Sequence, residues 1–97
     1  MPQFILLCRD KPDSLALRME TRPAHLAYFA EFGVRLVLGG PLLDGGGNPT
    51  GSMLIIEASD ATEAHSITKN DPYNKAGLFA EVSVIPFKTV IANFPKG

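Results

Sequence analysis

Apolar residues fall into short runs parted by polar, glycine-rich and proline-rich breaks, with two longer stretches of helical spacing between them. Gln3 to Arg9 contains the unbroken apolar run Phe4-Ile5-Leu6-Leu7-Cys8 and ends at Asp10-Lys11-Pro12-Asp13, which predicts a first strand. Asp13 is of a type that caps helix starts, and helical periodicity then runs to Phe32 and stops at Gly33. Pro23 interrupts that stretch, because proline lacks an N–H and its ring collides with the carbonyl four residues back. The pattern therefore predicts a short turn around Ser14 to Met19 and a main helix from Thr21 or Arg22. Val34 to Leu38 predicts a second strand, closing at Gly39-Gly40-Pro41, and Asp44 to Pro49 a turn-rich loop. Met53 to Ala58 predicts a third strand. Asp60 followed by Glu63 has the form of a capping box, opening a helix that ends at Asn70 before Asp71-Pro72. Glu81 to Lys88 predicts a fourth strand, and Pro86 within it requires a sheet edge or a bulge.

The order β-α-β-β-α-β is that of an α+β, ferredoxin-like domain: a four-stranded antiparallel sheet with both helices on one face. Such a domain leaves the other sheet face bare, so its strands should alternate apolar and polar. Phe4-Ile5-Leu6-Leu7, Leu36-Val37-Leu38 and Met53-Leu54-Ile55-Ile56 are instead apolar on both faces. This texture predicts a sheet-to-sheet homodimer, with room for dimers to pair again, and a tail from Ile91 to Pro95 lying along the seam.

With 97 residues, the chain has the size of one domain, residues 1–97, with one core. A formal net charge of −1 and no cluster of basic residues argue against nucleic acid and anionic membrane as partners. No apolar run approaches the length of a membrane span, Met1-Pro2-Gln3 has no signal-peptide charge region, and the single Cys8 excludes an internal disulfide. These features point to a soluble cytoplasmic protein.

The predicted topology carries four motifs to one end of the domain: Arg22-Pro23-Ala24-His25, Gly39-Gly40-Pro41, Gly51-Ser52 and Asn70-Asp71-Pro72-Tyr73. Arg18, Arg22 and His25 would share a helical face at i, i+4 and i+7, with Pro23 making that alignment approximate. A histidine on the border of a buried face is either a core residue bonded to a backbone carbonyl or an acid/base whose tautomer a carboxylate fixes. Asp71 is the projected carboxylate, although Asn-Asp-Pro is also an ordinary helix-stop sequence. Tyr73 either covers the core edge or reaches a ligand, and Gly40 either finishes a strand or lets a ligand approach the backbone. Gly45 to Gly47 lacks the Gly-Lys-Ser/Thr ending of a phosphate loop, and His65 belongs to a solvent face. Two distant histidines and one strand cysteine make no metal-ligand set, and there is no dinucleotide fingerprint.

Asp13-Ser14-Leu15 with Arg18, Arg22-Pro23-Ala24-His25-Leu26, Gly39-Gly40-Pro41-Leu42, Gly51-Ser52 and Asp71-Pro72-Tyr73 together resemble the YCII-related (YciI-like) proteins over nearly the whole chain. The resemblance implies a ferredoxin-like fold, dimerisation through the sheets as in the dimeric α+β barrels, and an active site on a His–Asp pair matching His25 and Asp71. Lactone isomerases, dehydrochlorinases of aromatic breakdown and cofactor-free monooxygenases belong to that wider group. The expectation is an enzyme without cofactor or metal, acting on a small cyclic or aromatic molecule. His25 would move a proton, Asp71 would orient and charge-stabilise it, Arg22 or Tyr73 would hold an oxygen, and Gly40 and Ser52 would border the ligand. The rival readings are a non-catalytic metabolite-binding module and a structural dimer in which His25 and Asp71 only fasten the helices.

Overall fold

The computed structural model describes residues 1–94. Its elements are β1 (Gln3–Asp10), α1 (Leu15–Ala30), a 3-10 turn (Gly33–Arg35), β2 (Leu36–Leu43), β3 (Pro49–Glu57), α2 (Ala61–Lys69), α3 (Pro72–Lys75) and β4 (Phe79–Phe87). The sheet is antiparallel throughout, in the order β2-β3-β1-β4, which is the ferredoxin-like arrangement the element order predicts.

Register divides the strand residues between two faces, because directly paired residues point the same way. Phe4, Leu6 and Cys8 of β1 pair with Ile56, Leu54 and Ser52 of β3. On this face Phe4, Leu6, Leu54 and Ile56 pack with Phe29 of α1 and Ala64 and Ile67 of α2, forming the main core. Leu6 and Ile56 are fully buried, so truncating either to alanine should cost about 2–5 kcal/mol. The opposite face presents Ile5, Leu7, Leu38, Met53, Ile55, Ile85 and Phe87, paired across the four strands. It is apolar, as the strand texture implied, and Ile85 and Phe87 at its β4 edge are exposed.

Several boundaries differ from the sequence-based expectations. Helix α1 runs unbroken from Leu15 to Ala30 with Pro23 inside it. Pro23 is exposed, and the carbonyl it leaves without an N–H partner belongs to Met19, also exposed, so water can serve that oxygen. Asp13 does not cap the helix: it adopts φ +57, and Ser14 occupies the N-cap with its hydroxyl donating to the carbonyl of Pro12. The helix ends at Ala30, not Phe32, and Gly33 at φ +56 supplies the left-handed step into the 3-10 turn. Gly39-Gly40-Pro41 lies within β2 and does not end it, which an edge strand permits because the missing N–H of Pro41 need not serve a ladder. Likewise β3 starts at Pro49 and β4 at Phe79, and Pro86 sits on the β4 edge as anticipated.

The Asp60 carboxylate accepts the Glu63 amide at 2.8 Å, while the Glu63 carboxylate turns to the Ser59 amide at 2.8 Å and to Arg35 at 2.7 Å. Sequence reasoning missed α3 altogether, a single turn that Asp71 caps through the Tyr73 amide. Tail residues Val90, Ile91 and Phe94 are exposed, and Pro95 lies outside the described residues.

Candidate functional site

Because α1 is continuous, Arg18, Arg22 and His25 share one face of it after all, and all three line one cavity of about 420 Å³. Gly39, Gly40 and Pro41 of β2, Ser52 and Leu54 of β3, and Tyr73 of α3 supply most of the remaining wall together with Met19, Leu26 and Phe29. These segments meet by cross-strand pairing, Pro41 opposite Ser52 and Gly39 opposite Leu54, and not at strand ends as the topology first suggested.

His25 Nδ1 lies 2.9 Å from Asp71 Oδ1. A carboxylate only accepts, so Nδ1 carries the proton and Nε2 is the basic nitrogen of the neutral ring. His25 lines the cavity and Asp71 does not; Nδ1 is engaged by the carboxylate, and Nε2 makes no hydrogen bond among the described residues. The imidazole stacks on the Tyr73 ring at 4.0 Å between centroids, 18° from parallel, and meets the Phe29 ring edge-on at 5.0 Å. Asp71 is almost fully buried, and its Oδ1 accepts two hydrogen bonds, one from His25 and one from the Tyr73 amide at 3.0 Å. One carboxylate oxygen thus caps α3 and orients the histidine.

Arg18 escaped the sequence reading as a site residue. It is only 4% exposed, with Nε donating to Asp10 Oδ2 at 2.7 Å, Nη2 to Asp10 Oδ1 at 3.2 Å, and Nη2 also to Ser52 Oγ at 2.7 Å. Its guanidinium lies over the Tyr73 ring, 4.5 Å from the centroid, on a ring that also stacks with His25. The i, i+4, i+7 spacing with His25 was the available signal; the partners that permit its burial lie on other strands.

Arg22 is exposed at the cavity wall and, among the described residues, has no carboxylate within 4 Å. Gly40 borders the cavity with its backbone, whereas a Cβ at Gly39 would press within 3.0 Å of Leu54 Cδ2. Burial pushes the Tyr73 phenol above its ordinary range against the pull of Arg18 and Arg22, so it stays protonated at neutral pH. Cys8, behind the site, is buried and its thiol is pushed up to about 12 by burial and then by the charge of Asp71, which makes it inert. Among the described residues no three His, Cys, Asp or Glu side chains gather to hold a metal ion, and no helix is long and apolar enough to cross a membrane.

The cavity is therefore an apolar slot with a stacked aromatic pair on one wall, an imidazole, the hydroxyls of Ser52 and Tyr73, and the Arg22 cation, which has no carboxylate partner among the described residues. It suits a small flat molecule carrying oxygens.

Comparison with known proteins agrees with the fold. The family model for the YCII-related domain matches residues 2–88. Protein YciI of Escherichia coli is 38% identical over 95 residues, covering 90% of this chain and 97% of that protein. An uncharacterized protein of Haemophilus influenzae is 33% identical over 96 residues. Among solved structures, 5-chloro-2-hydroxyhydroquinone dehydrochlorinase (TftG) of Burkholderia phenoliruptrix, in complex with 2,5-dihydroxybenzoquinone, superposes with a TM-score of 0.85 at 41% identity. That match covers 89% of this chain and 93% of TftG. An antibiotic biosynthesis monooxygenase, 11% identical with a TM-score of 0.57, shares the fold alone. By the reach of the family model and the identity to YciI, the chain belongs to the YCII-related family.

Proposed function

We propose that the protein is a cofactor-independent enzyme that carries out an elimination or isomerisation on a small oxygenated cyclic or aromatic molecule, with His25 as general acid/base. The observation that carries this reading is the buried His25–Asp71 contact of 2.9 Å, which leaves Nε2 on a cavity of small-molecule size. In an elimination from the keto tautomer of such a ring, Nε2 takes a proton from a ring hydroxyl, the freed electron pair forms a new C=O bond, and the leaving group departs from an sp3 ring carbon with its own electrons. The net loss is HX, and no outside oxidant is required. Asp71 balances the imidazolium so formed, and Arg22 or the Tyr73 hydroxyl holds the oxygen on which charge accumulates. Acid/base help of this kind supplies roughly 10²–10⁴ in rate, enough for a substrate already activated by its own hydroxyls.

The structural likeness to a dehydrochlorinase of a chlorinated hydroxyhydroquinone supports that substrate class. We further propose that two copies bury the apolar sheet face carrying Ile5, Leu7, Ile55, Ile85 and Phe87 against one another. At about 25 cal/mol per Å², leaving such a face in water would forfeit many kcal/mol.

The test is turnover of chlorinated hydroxyhydroquinones by the purified protein, followed as chloride release and quinone absorbance. The expected result is release that His25→Gln abolishes while the variant melts as a folded protein. Release that persists in His25→Gln would overturn the role given to the histidine. No conversion of any member of a chlorinated and unchlorinated panel would overturn the enzymatic reading.

A further inference from the structure

Ser52 stands at the centre of the sheet with its side chain on the helix-covered face, and it is 2% exposed. A hydroxyl has one proton to donate and lone pairs to accept with. Ser52 Oγ accepts from Arg18 Nη2 at 2.7 Å, and among the described residues that is its one hydrogen bond. Its own proton therefore has no acceptor among the described residues, and Ser52 lines the same cavity as His25. Arg18 cannot easily turn elsewhere. Two of its nitrogens are engaged by the Asp10 carboxylate, and its guanidinium is clamped over the Tyr73 ring. A charged donor on Oγ draws electron density from the hydroxyl and strengthens the hydrogen bond it can give. With its positive charge offset by Asp10, Arg18 also sets the hydroxyl's direction by occupying the acceptor side of the oxygen.

With the cavity taken as a substrate site, as proposed above, we infer that the Ser52 hydroxyl is the donor that binds an anionic or carbonyl oxygen of the substrate. Arg18 is the positioning residue that holds and polarises it. The two polar groups of the slot then differ in chemistry. His25 Nε2 accepts or returns a proton, while Ser52 donates its own and so favours an oxygen that carries negative charge or no proton. This selects phenolates, enolates and quinone oxygens over neutral hydroxyls. It also separates the duties of the two arginines: Arg22, exposed and without a carboxylate partner among the described residues, meets the ligand at the cavity wall, whereas Arg18 acts through Ser52.

The experiment is calorimetric binding of 2,5-dihydroxybenzoquinone to the full chain and its variants, with each variant's melting temperature recorded. Ser52→Ala should weaken binding about tenfold, the size of one lost hydrogen bond, with melting lowered by several degrees because Arg18 Nη2 also loses an acceptor. Ser52→Cys, which keeps the shape and replaces the hydroxyl with a poor donor, should weaken it similarly and serves where the alanine variant folds poorly. Arg18→Lys should weaken binding in the unaltered background and add little in the Ser52→Ala background, because it acts through the same hydroxyl. Equal losses from Arg18→Lys in both backgrounds would overturn the positioning role. Undiminished binding by both serine variants would overturn the inference while leaving the His25 chemistry intact, provided turnover still depends on His25. Failure of the unaltered protein to bind the quinone would overturn it together with the substrate class.

Discussion

Asp71 serves two donors with one oxygen, and paired substitutions there separate a working dyad from a structural clasp. In Asp71→Ala the cap of α3 is lost, at about 1 kcal/mol, and the buried Nδ1 of His25 is left without its acceptor, at about 1–3 kcal/mol. Together these remove about 2–4 kcal/mol, a large fraction of the stability of a domain this size. At about 4–8 °C per kcal/mol for such a domain, the melting temperature should fall by about 8–32 °C. In Asp71→Asn the amide oxygen can still accept from the Tyr73 amide and from His25 Nδ1, so stability should fall by about 1 kcal/mol or less. What the amide lacks is the charge that supports an imidazolium, so turnover should drop about 100-fold or more. Urea unfolding and chloride release, measured on the same samples, check both halves. If the asparagine variant is as unstable as the alanine variant and its activity follows only the folded fraction, Asp71 is a structural residue and the dyad reading is wrong.

Three further expectations rest on other parts of the molecule. A Cβ at Gly51 would collide with the carbonyl oxygen of Cys8 and crowd Leu42 at 3.0 Å, so Gly51→Ala should cost about 2–3 kcal/mol in urea unfolding. Gly40→Ala, where a Cβ meets nothing within 4 Å, should stay within about 0.5 kcal/mol, and equal losses at both positions would contradict the geometry. The unfolded Cys8 thiol ionises near its ordinary value of 9.0, while the folded one is held to about 12. The native state therefore binds the extra proton between those values, and stability should fall as pH rises from about 9 towards about 12, with Tyr73 and Tyr28, both raised by burial, adding in the same direction. Denaturation midpoints at pH 8 and 10.5 check this, and rapid labelling of native Cys8 by a thiol reagent near neutral pH would refute its burial. Sedimentation should show a dimer that Ile85→Asp, on the apolar sheet face, converts to monomer, and a monomeric unaltered protein would refute the proposed interface.

Much of the fold was legible in the chain because the signals were local. The apolar run of β1, the Asp60 cap of α2 and the edge position of β4 marked by Pro86 follow from periodicities and backbone chemistry acting over a few residues. The meeting of His25 and Asp71 was legible at one remove, since antiparallel helices on one sheet face bring the start of one beside the end of the other. The roles of Arg22, Gly40, Ser52 and Tyr73 toward a ligand are still proposals, though all four line the cavity. Only the tertiary structure decided that Pro23 would be carried inside an unbroken helix, because that depends on whether the orphaned carbonyl of Met19 faces water. Only it decided that Arg18 would be buried, because burying a guanidinium requires the Asp10 carboxylate, the Ser52 hydroxyl and the Tyr73 face to arrive together from three other segments. And only it showed one Asp71 oxygen serving both the α3 cap and His25. Local sequence sets which backbone conformations are cheap; what a buried polar group can become is set by the partners that distant segments deliver to it.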